Sequence, residues 1–324
     1  MTDLHVIDAT AVDAVAVTGV IHHAFSSRRV LDPPSTALSE TPHSVAVALA
    51  EHGGLLATID GRPAGAMLFA VDGDALGLRR VSVDPRFQGR GVASAMVGCA
   101  EEVAVRRGLA RVRLTARSEL PETVEFWRRR GYSTVREQAH GLVLAKAMPV
   151  ELTVPTAEEM RALGVAVAAQ VRAGDVLVLS GDLGAGKTTF TQGLGAGLGV
   201  RGGVTSPTFV ISRVHPSLDG GPALVHVDAY RLGGFAELDA LDLDASLDEA
   251  VTVVEWGHGL AEGLASDRLD VTMTRGDDEE DEVRQVRIVP VGPRWADAGL
   301  RLAGSMGSVD AAGSEQGSAD AAGV

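Results

Sequence analysis

The sequence contains one cysteine, Cys99, and two lysines, Lys146 and Lys187, in 324 residues. A single cysteine excludes an intrachain disulfide and suits a reducing compartment. The two lysines stand against 27 arginines, so a retained lysine marks a place where a compact point charge serves better than a planar fork. Aromatic residues make up 4% of the chain and hydrophobic residues 45%, which predicts aliphatic cores. No run of 18 apolar residues is present to span a membrane. The start, MTDLHVIDAT, lacks the basic segment and unbroken apolar stretch of a secretory signal. The expectation is a soluble cytoplasmic protein with no membrane partner. Basic charge is also short in the second half. Residues 1–149 hold 17 basic and 16 acidic groups, whereas residues 150–324 hold 12 and 27. Such an acidic half disfavours direct binding of nucleic acid, so any RNA is expected to be held by a partner.

What is present begins with Gly181-Asp182-Leu183-Gly184-Ala185-Gly186-Lys187-Thr188. It fits G-x-x-x-x-G-K-[ST] at every fixed position, after the apolar run Val176–Leu179 and before a helical pattern opening at Thr189. Its glycines let successive N–H groups converge on phosphate oxygens, and the following helix points its positive end at the same anion. Lys187 can reach the β- and γ-phosphates, and the Thr188 hydroxyl can ligate Mg²⁺. Two further carboxylates, Asp228 and Glu255, end valine-rich runs, at the strand ends where open α/β sheets place ligands. Lys187, Asp228 and Glu255 are therefore the candidate catalytic residues, and Thr188 and Glu255 the candidate metal ligands.

Around this loop, Thr156 and Glu159 form a capping box for a helix to about Val171. Strands are expected at Val150–Val154, Asp175–Ser180, Phe209–Val214, Ala223–Val227 and Val251–Val254, with an acidic helix from Glu237 to about Glu249. The six acids Asp277–Glu282 read as a solvated hairpin loop. The ordered set GDLGAGKTT, TSPT, HVDAYRL, EL and VVEW resembles the TsaE (YjeE) family, over roughly residues 152–292. That resemblance implies a P-loop ATPase of bacterial tRNA threonylcarbamoyladenosine synthesis. It would act with the TsaB–TsaD pair, meet tRNA through those partners, and reset them by ATP turnover without performing the transfer. It further implies that Leu183, Gly184, Ala185, Gly186, Lys187 and Thr188 bind ATP and that Thr205–Thr208 is switch-like. Asp228 would orient water or metal, Glu255 ligate Mg²⁺ and Trp256 pack near the nucleotide. A late-strand arginine falls best on Arg284, with Arg287 next. Where the family has HFDLYR, this chain has HVDAYR.

The first half reads as βααβββαβαββ. A strand from Leu76 to Val83 leads into Asp84-Pro85-Arg86-Phe87-Gln88-Gly89-Arg90-Gly91-Val92-Ala93 and an amphipathic helix over 92–107. Gln88-x-x-Gly91-x-Ala93, with the later Phe126-Trp127-x-x-x-Gly131-Tyr132, resembles the GNAT acetyltransferases over residues 3–147. The resemblance implies acetyl-CoA at Val83, Gln88, Gly89, Arg90, Gly91, Val92 and Ala93, with Arg86 and Arg90 adding positive charge. Trp127 stands where the family often has a tyrosine acid, and an indole N–H cannot supply a proton at useful pKa.

The expectation is thus an α/β chain: a GNAT-like mixed sheet with flanking helices over 1–148, a P-loop NTPase domain over 149–295, and a disordered Ala/Gly/Ser/Asp tail over 296–324. Met148-Pro149 alone join the two domains, which should abut. Two alternatives stay open for the second half, a small-molecule P-loop kinase and a nucleotide-switched scaffold. For the first half the alternatives are an amine acetyltransferase and an inactive docking module.

Overall fold

The computed structural model describes residues 3–28, 32–241, 243, 247–276 and 282–302. The first half contains β1 (Leu4–Ala9), α1 (Ala14–Ser26), α2 (Pro42–His52), β2 (Gly54–Ile59), β3 (Arg62–Asp72), β4 (Ala75–Val83), α3 (Val92–Arg106), β5 (Arg111–Ala116), α4 (Pro121–Arg128), β6 (Ser133–Gln138) and β7 (Gly141–Ala147). The sheet has seven strands in the order β1-β2-β3-β4-β5-β7-β6. Its central strands are covered on both sides. Met67 and Phe69 of β3 enter one core, with α3 and Trp127. Ala66 and Leu68 enter the other, with α1 and α2. Period-two alternation between two apolar layers explains why β3 reads as an unbroken hydrophobic run.

The second half contains β8 (Val150–Val154), α5 (Ala157–Ala168), β9 (Val176–Ser180), α6 (Lys187–Gly197), β10 (Ser212–His215), β11 (Ala223–Asp228), α7 (Phe235–Asp239), β12 (Ala250–Glu255), β13 (Arg268–Arg275), β14 (Arg284–Val291) and α8 (Pro293–Ala298). The strand order is β10-β11-β12-β9-β13-β14-β8. The four strands β11, β12, β9 and β13 are mutually parallel. Leu177 and Leu179 of β9 face the core under α5 and α6, whereas Val176 and Val178 face the opposite layer. The Thr156 hydroxyl accepts from Glu159 N at 3.2 Å, as the capping box requires. Helices α5 and α6 cross with backbones nearly touching. A Cβ built on Gly193 would lie 2.0 Å from the Arg161 carbonyl oxygen, so this crossing requires glycine.

Three expectations change. The run Phe209–Val214 forms strand only from Ser212. Before it the chain turns on the Pro207 carbonyl, which accepts from Val210 N and Ile211 N. The Ser206 and Thr208 hydroxyls are drawn onto Asp228 and hold that turn. The helix expected over Glu237–Glu249 is α7, Phe235–Asp239, and the rest of that segment falls partly outside the described residues. Residues 296–302, expected as tail, are folded. Ala296 is buried on α8 beside Trp295, and Leu300 is buried after it. Arg301 donates from Nε to Asp74 Oδ2 at 2.8 Å. The Gln170 amide brackets the Arg301 backbone, donating to its oxygen at 2.7 Å and accepting from its nitrogen at 2.9 Å. Apolar side chains and a paired arginine therefore fold this segment back across both halves. Residues 303–324 and the acids at 277–281 lie outside the described residues. β13 and β14 pair antiparallel on either side of that acidic stretch.

Candidate functional site

The parallel strands β9, β11 and β12 end side by side, with Asp228 in register with Glu255 and Glu255 with Leu179. Residues 181–186 leave β9 and deliver the chain to α6. Gly186, the N-cap, has φ of 105°, a backbone conformation that a side chain resists. The first N–H groups of α6 thereby face the same space as the two strand-end carboxylates, and the helix adds its positive end. Lys187 folds over its own loop. Its Nζ donates to the Gly181 and Asp182 carbonyls at 2.7 and 2.9 Å and sits 3.7 Å above the Trp256 ring. Burial pushes its pKa down, and the charges of Glu255, Asp228 and Asp182 act against that.

Both carboxylates are buried and each has defined partners. Glu255 Oε2 accepts from Thr188 Oγ1 at 3.2 Å, and Oε1 stands 2.9 Å from His226 Nε2. Asp228 Oδ1 accepts from Tyr230 N at 3.0 Å. Its Oδ2 accepts from Thr208 Oγ1 at 2.5 Å and from Ser206 Oγ at 3.2 Å. Thr188 and Glu255 thus present two hard oxygens together. Among the described residues no group of three or more His, Cys, Asp or Glu is placed to hold a metal ion. Two oxygen donors nevertheless fit Mg²⁺, which keeps waters and takes substrate phosphates for its remaining positions.

Most of the residues expected at the nucleotide come together here. Leu183 stands out of the loop, 84% exposed, while Ala185 is packed into the core. Trp256 has φ of 60°, and its ring lies 5.1 Å from that of Tyr230. Arg284 sits on β14, in register with Arg275 of β13 on one side and Val154 of β8 on the other. Arg275 also reaches the loop, with Nη1 3.6 Å from where a side chain on Gly184 would begin. Arg287 pairs with Glu151 at 3.0 Å on the far edge. Two residues of this neighbourhood escape a sequence reading, His226 and Arg275. Alternation along HVD was the available signal for the first, because it puts His226 and Asp228 on one strand face.

In the first half, β4 and β5 pair only as far as Leu78 and Leu114. A register shift against β3 and a φ of 52° at Arg80 mark a bulge in β4 just beyond. The parted strands open a cleft of about 670 Å³ lined by Leu78, Val81, Val83, Gln88, Ala93 and Trp127, among others. Of the expected acetyl-CoA residues, Val83, Gln88 and Ala93 line it. Gly91 is the left-handed N-cap of α3, Gly89 and Arg90 are exposed, and Val92 is buried. Arg86 does not supply free charge. It pairs with buried Asp84 at 2.7 Å, which together with a backbone N–H and His23 holds that carboxyl well below the usual range. Trp127 is a core residue, edge-on to Phe126 and Tyr132 at 5.2 and 4.9 Å.

Comparison with known proteins agrees with both halves. Residues 154–286 match the model of the family described as threonylcarbamoyl adenosine biosynthesis protein TsaE, and residues 23–132 that of the acetyltransferase (GNAT) family. The chain is 61% identical over 145 residues to the tRNA threonylcarbamoyladenosine biosynthesis protein TsaE of Streptomyces coelicolor, covering 44% of this chain and 98% of that one. It is 41% identical over 143 residues to the protein of the same name from Bacillus subtilis, 43% of this chain and 84% of the other. Among solved structures, Bacillus subtilis YdiB aligns with TM-score 0.37 and 36% identity over 45% of this chain and 88% of its own. PaiA N-acetyltransferase from Thermoplasma acidophilum in complex with coenzyme A aligns with TM-score 0.41 and 11% identity over 45% and 99%. No helix among the described residues is long and apolar enough to cross a membrane. A phosphate-type loop flanked by two strand-end acids, and a relative 61% identical and matched over 98% of its length, lead to one conclusion: the chain belongs to the TsaE family of tRNA threonylcarbamoyladenosine biosynthesis, with a GNAT acetyltransferase domain ahead of it.

Proposed function

We propose that the second half is a Mg²⁺-dependent ATPase needed to form the threonylcarbamoyl group on the adenosine beside the tRNA anticodon. It acts with TsaB and TsaD, and the first half binds acetyl-CoA. The observation that carries the ATPase reading is the convergence of Lys187, Thr188, Asp228 and Glu255 at the ends of three adjacent strands. The loop N–H groups and the start of α6 receive the phosphates. Lys187 exchanges its loop carbonyls for β- and γ-phosphate oxygens, a stronger, charge-assisted pairing. Thr188 and Glu255 would hold Mg²⁺, which would supply positive charge against the phosphates. Asp228, fixed by three donors, orients the attacking water. Water oxygen bonds to the γ-phosphorus as the bond to the β–γ bridging oxygen breaks, leaving ADP and phosphate. Arg275 beside Gly184 adds positive charge at the loop.

The partner reading is supported by what surrounds the site. Leu183, Phe209 and Tyr230 are 84%, 87% and 64% exposed, an apolar rim suited to a protein surface. The acid excess of the second half keeps tRNA at a distance unless a partner carries it. Hydrolysis by purified protein, wild type beside Lys187→Ala, with and without TsaB–TsaD, tests the reading. Turnover stimulated by the partners and lost in the variant is expected. Turnover indifferent to them would keep the ATPase and remove the pathway.

A nucleotide-switched scaffold is the second reading. The Ser206 and Thr208 hydroxyls on Asp228 favour it, because they tie an exposed loop to the nucleotide site. It stands if Glu255→Ala abolishes hydrolysis yet leaves tRNA modification intact in cells. For the first half, the open cleft beside Gln88 and Ala93 supports acetyl-CoA binding. Calorimetry with acetyl-CoA tests it, and an absence of binding heat would leave a docking module.

A further inference from the structure

His226 is fully buried in the middle of β11, between β10 and β12, in register with Arg213 and Val253. A buried imidazole costs free energy that an aliphatic side chain at this position would not. Its ring has one polar partner among the described residues. Nε2 stands 2.9 Å from Glu255 Oε1, while Nδ1 is buried without a hydrogen bond. An ionised carboxylate only accepts, so Nε2 carries the hydrogen and donates it.

The consequence lies on the other oxygen. The terminal torsion of a glutamate is broad and soft, so a carboxylate held at one oxygen has a choice of orientations. With Oε1 held from below by the imidazole, Oε2 is turned toward Thr188 Oγ1. Without the imidazole, the carboxylate is free to turn away from Thr188, and the pair of oxygens would be lost.

We propose that His226 is a positioning residue: its Nε2–H locks the Glu255 carboxylate so that Oε2 and the Thr188 hydroxyl face one divalent cation together. This rests on the nucleotide reading above and assigns a role to a residue that touches neither phosphate nor metal. Outer hydrogen-bond partners of metal ligands typically contribute about 10- to 100-fold to metal affinity. The effect should therefore appear in the part of nucleotide affinity that depends on Mg²⁺.

The test compares His226→Leu, which keeps volume and removes the donor, with His226→Gln, whose amide nitrogen reaches about as far as Nε2. ADP binding is measured by calorimetry in excess Mg²⁺ and again in EDTA. In the leucine variant the gain in affinity from Mg²⁺ should shrink by about 10-fold or more, while affinity in EDTA stays within about twofold of wild type. The glutamine variant should recover most of that gain. A leucine variant with the wild-type gain overturns the proposal, and so does a glutamine variant no better than leucine, because the imidazole would then serve packing alone. Wild-type protein whose ADP affinity ignores Mg²⁺ would overturn the metal reading of Thr188 and Glu255 as well. Wild type that responds while both variants behave alike would sink only the role of His226.

Discussion

The two candidate sites differ in how their polar groups are held. At the P-loop, the central side chains are held by partners from other elements: Thr188 on Glu255, Glu255 on His226, Thr208 and Ser206 on Asp228, Lys187 over Trp256. In the first-half cleft two lining arginines are engaged by neighbouring acids. Arg80 pairs with Glu40 at 2.9 Å and Arg117 with Glu119 at 2.8 Å, and nearby Arg86 pairs with Asp84. Where a family tyrosine would stand there is the packed indole of Trp127. The first arrangement holds its charges in fixed positions before any ligand arrives. The second is a shaped opening with small residues at a helix start.

The sharpest way to break this comparison is to remove charge from one site and read both. Glu255→Gln keeps the side-chain shape and an acceptor for His226 but deletes the negative charge. ATP turnover should fall by at least about 10²-fold, while acetyl-CoA affinity in the same protein stays unchanged. A shift in acetyl-CoA affinity would mean the halves communicate across their short join. In the other direction, Gly91→Val places a side chain at φ of 81° on the α3 N-cap. It should weaken acetyl-CoA binding by about 10-fold, through roughly 1–2 kcal/mol of left-handed strain, and leave ATP turnover as it was. Equal loss of both activities would point to general unfolding.

Backbone packing sharpens the contrast through stability. Gly193→Ala drives a Cβ to 2.0 Å from the Arg161 carbonyl oxygen, which cannot move without displacing α5. Overpacking of this kind costs about 1–3 kcal/mol, and the P-loop helix should melt earlier. Gly98→Ala on α3 meets nothing within 4 Å and should stabilise by roughly 0.5–1 kcal/mol through helix propensity. Thermal melts of the two variants should therefore move in opposite directions.

Much of this was legible in the sequence for a specific reason: the signals were local. A phosphate loop and the Thr156 capping box are spelled within a few residues, and each names its own geometry. What escaped depends on residues brought together from afar. The bond from His226 to Glu255 spans 29 positions. Arg275 comes to the loop through the pairing of β13 on β9, which no local signal spells. Phe209 and Val210 have strand propensity, yet the Thr208 hydroxyl finds Asp228 and the chain turns. At the C-terminal end, Trp295 and Leu300 supply enough apolar surface for α8 to dock, although the surrounding Ala and Gly read as tail.

The smallest expected effect is a pH dependence of opposite sign in the two halves. Asp84 is held well below the usual carboxylate range, first by the Arg86 side chain and then by the Arg86 N–H and His23. Between its folded and unfolded pKa values the unfolded chain binds more protons, so stability rises with pH through that window. The contribution is complete above the unfolded value, about 4, and is lost as pH falls below it. Asp175, buried in the second half, is pushed upward by burial, with the Arg172 N–H and Arg294 opposing. There the folded chain takes its proton first, so acidification through that window favours the fold. Denaturant midpoints measured from pH 7 to pH 3 should show Asp84→Asn less stable than wild type at neutral pH and converging with it in acid. For Asp175→Asn the difference should instead move in favour of wild type as pH falls. Parallel curves for the two variants would show that the two acids do not sit in opposed environments.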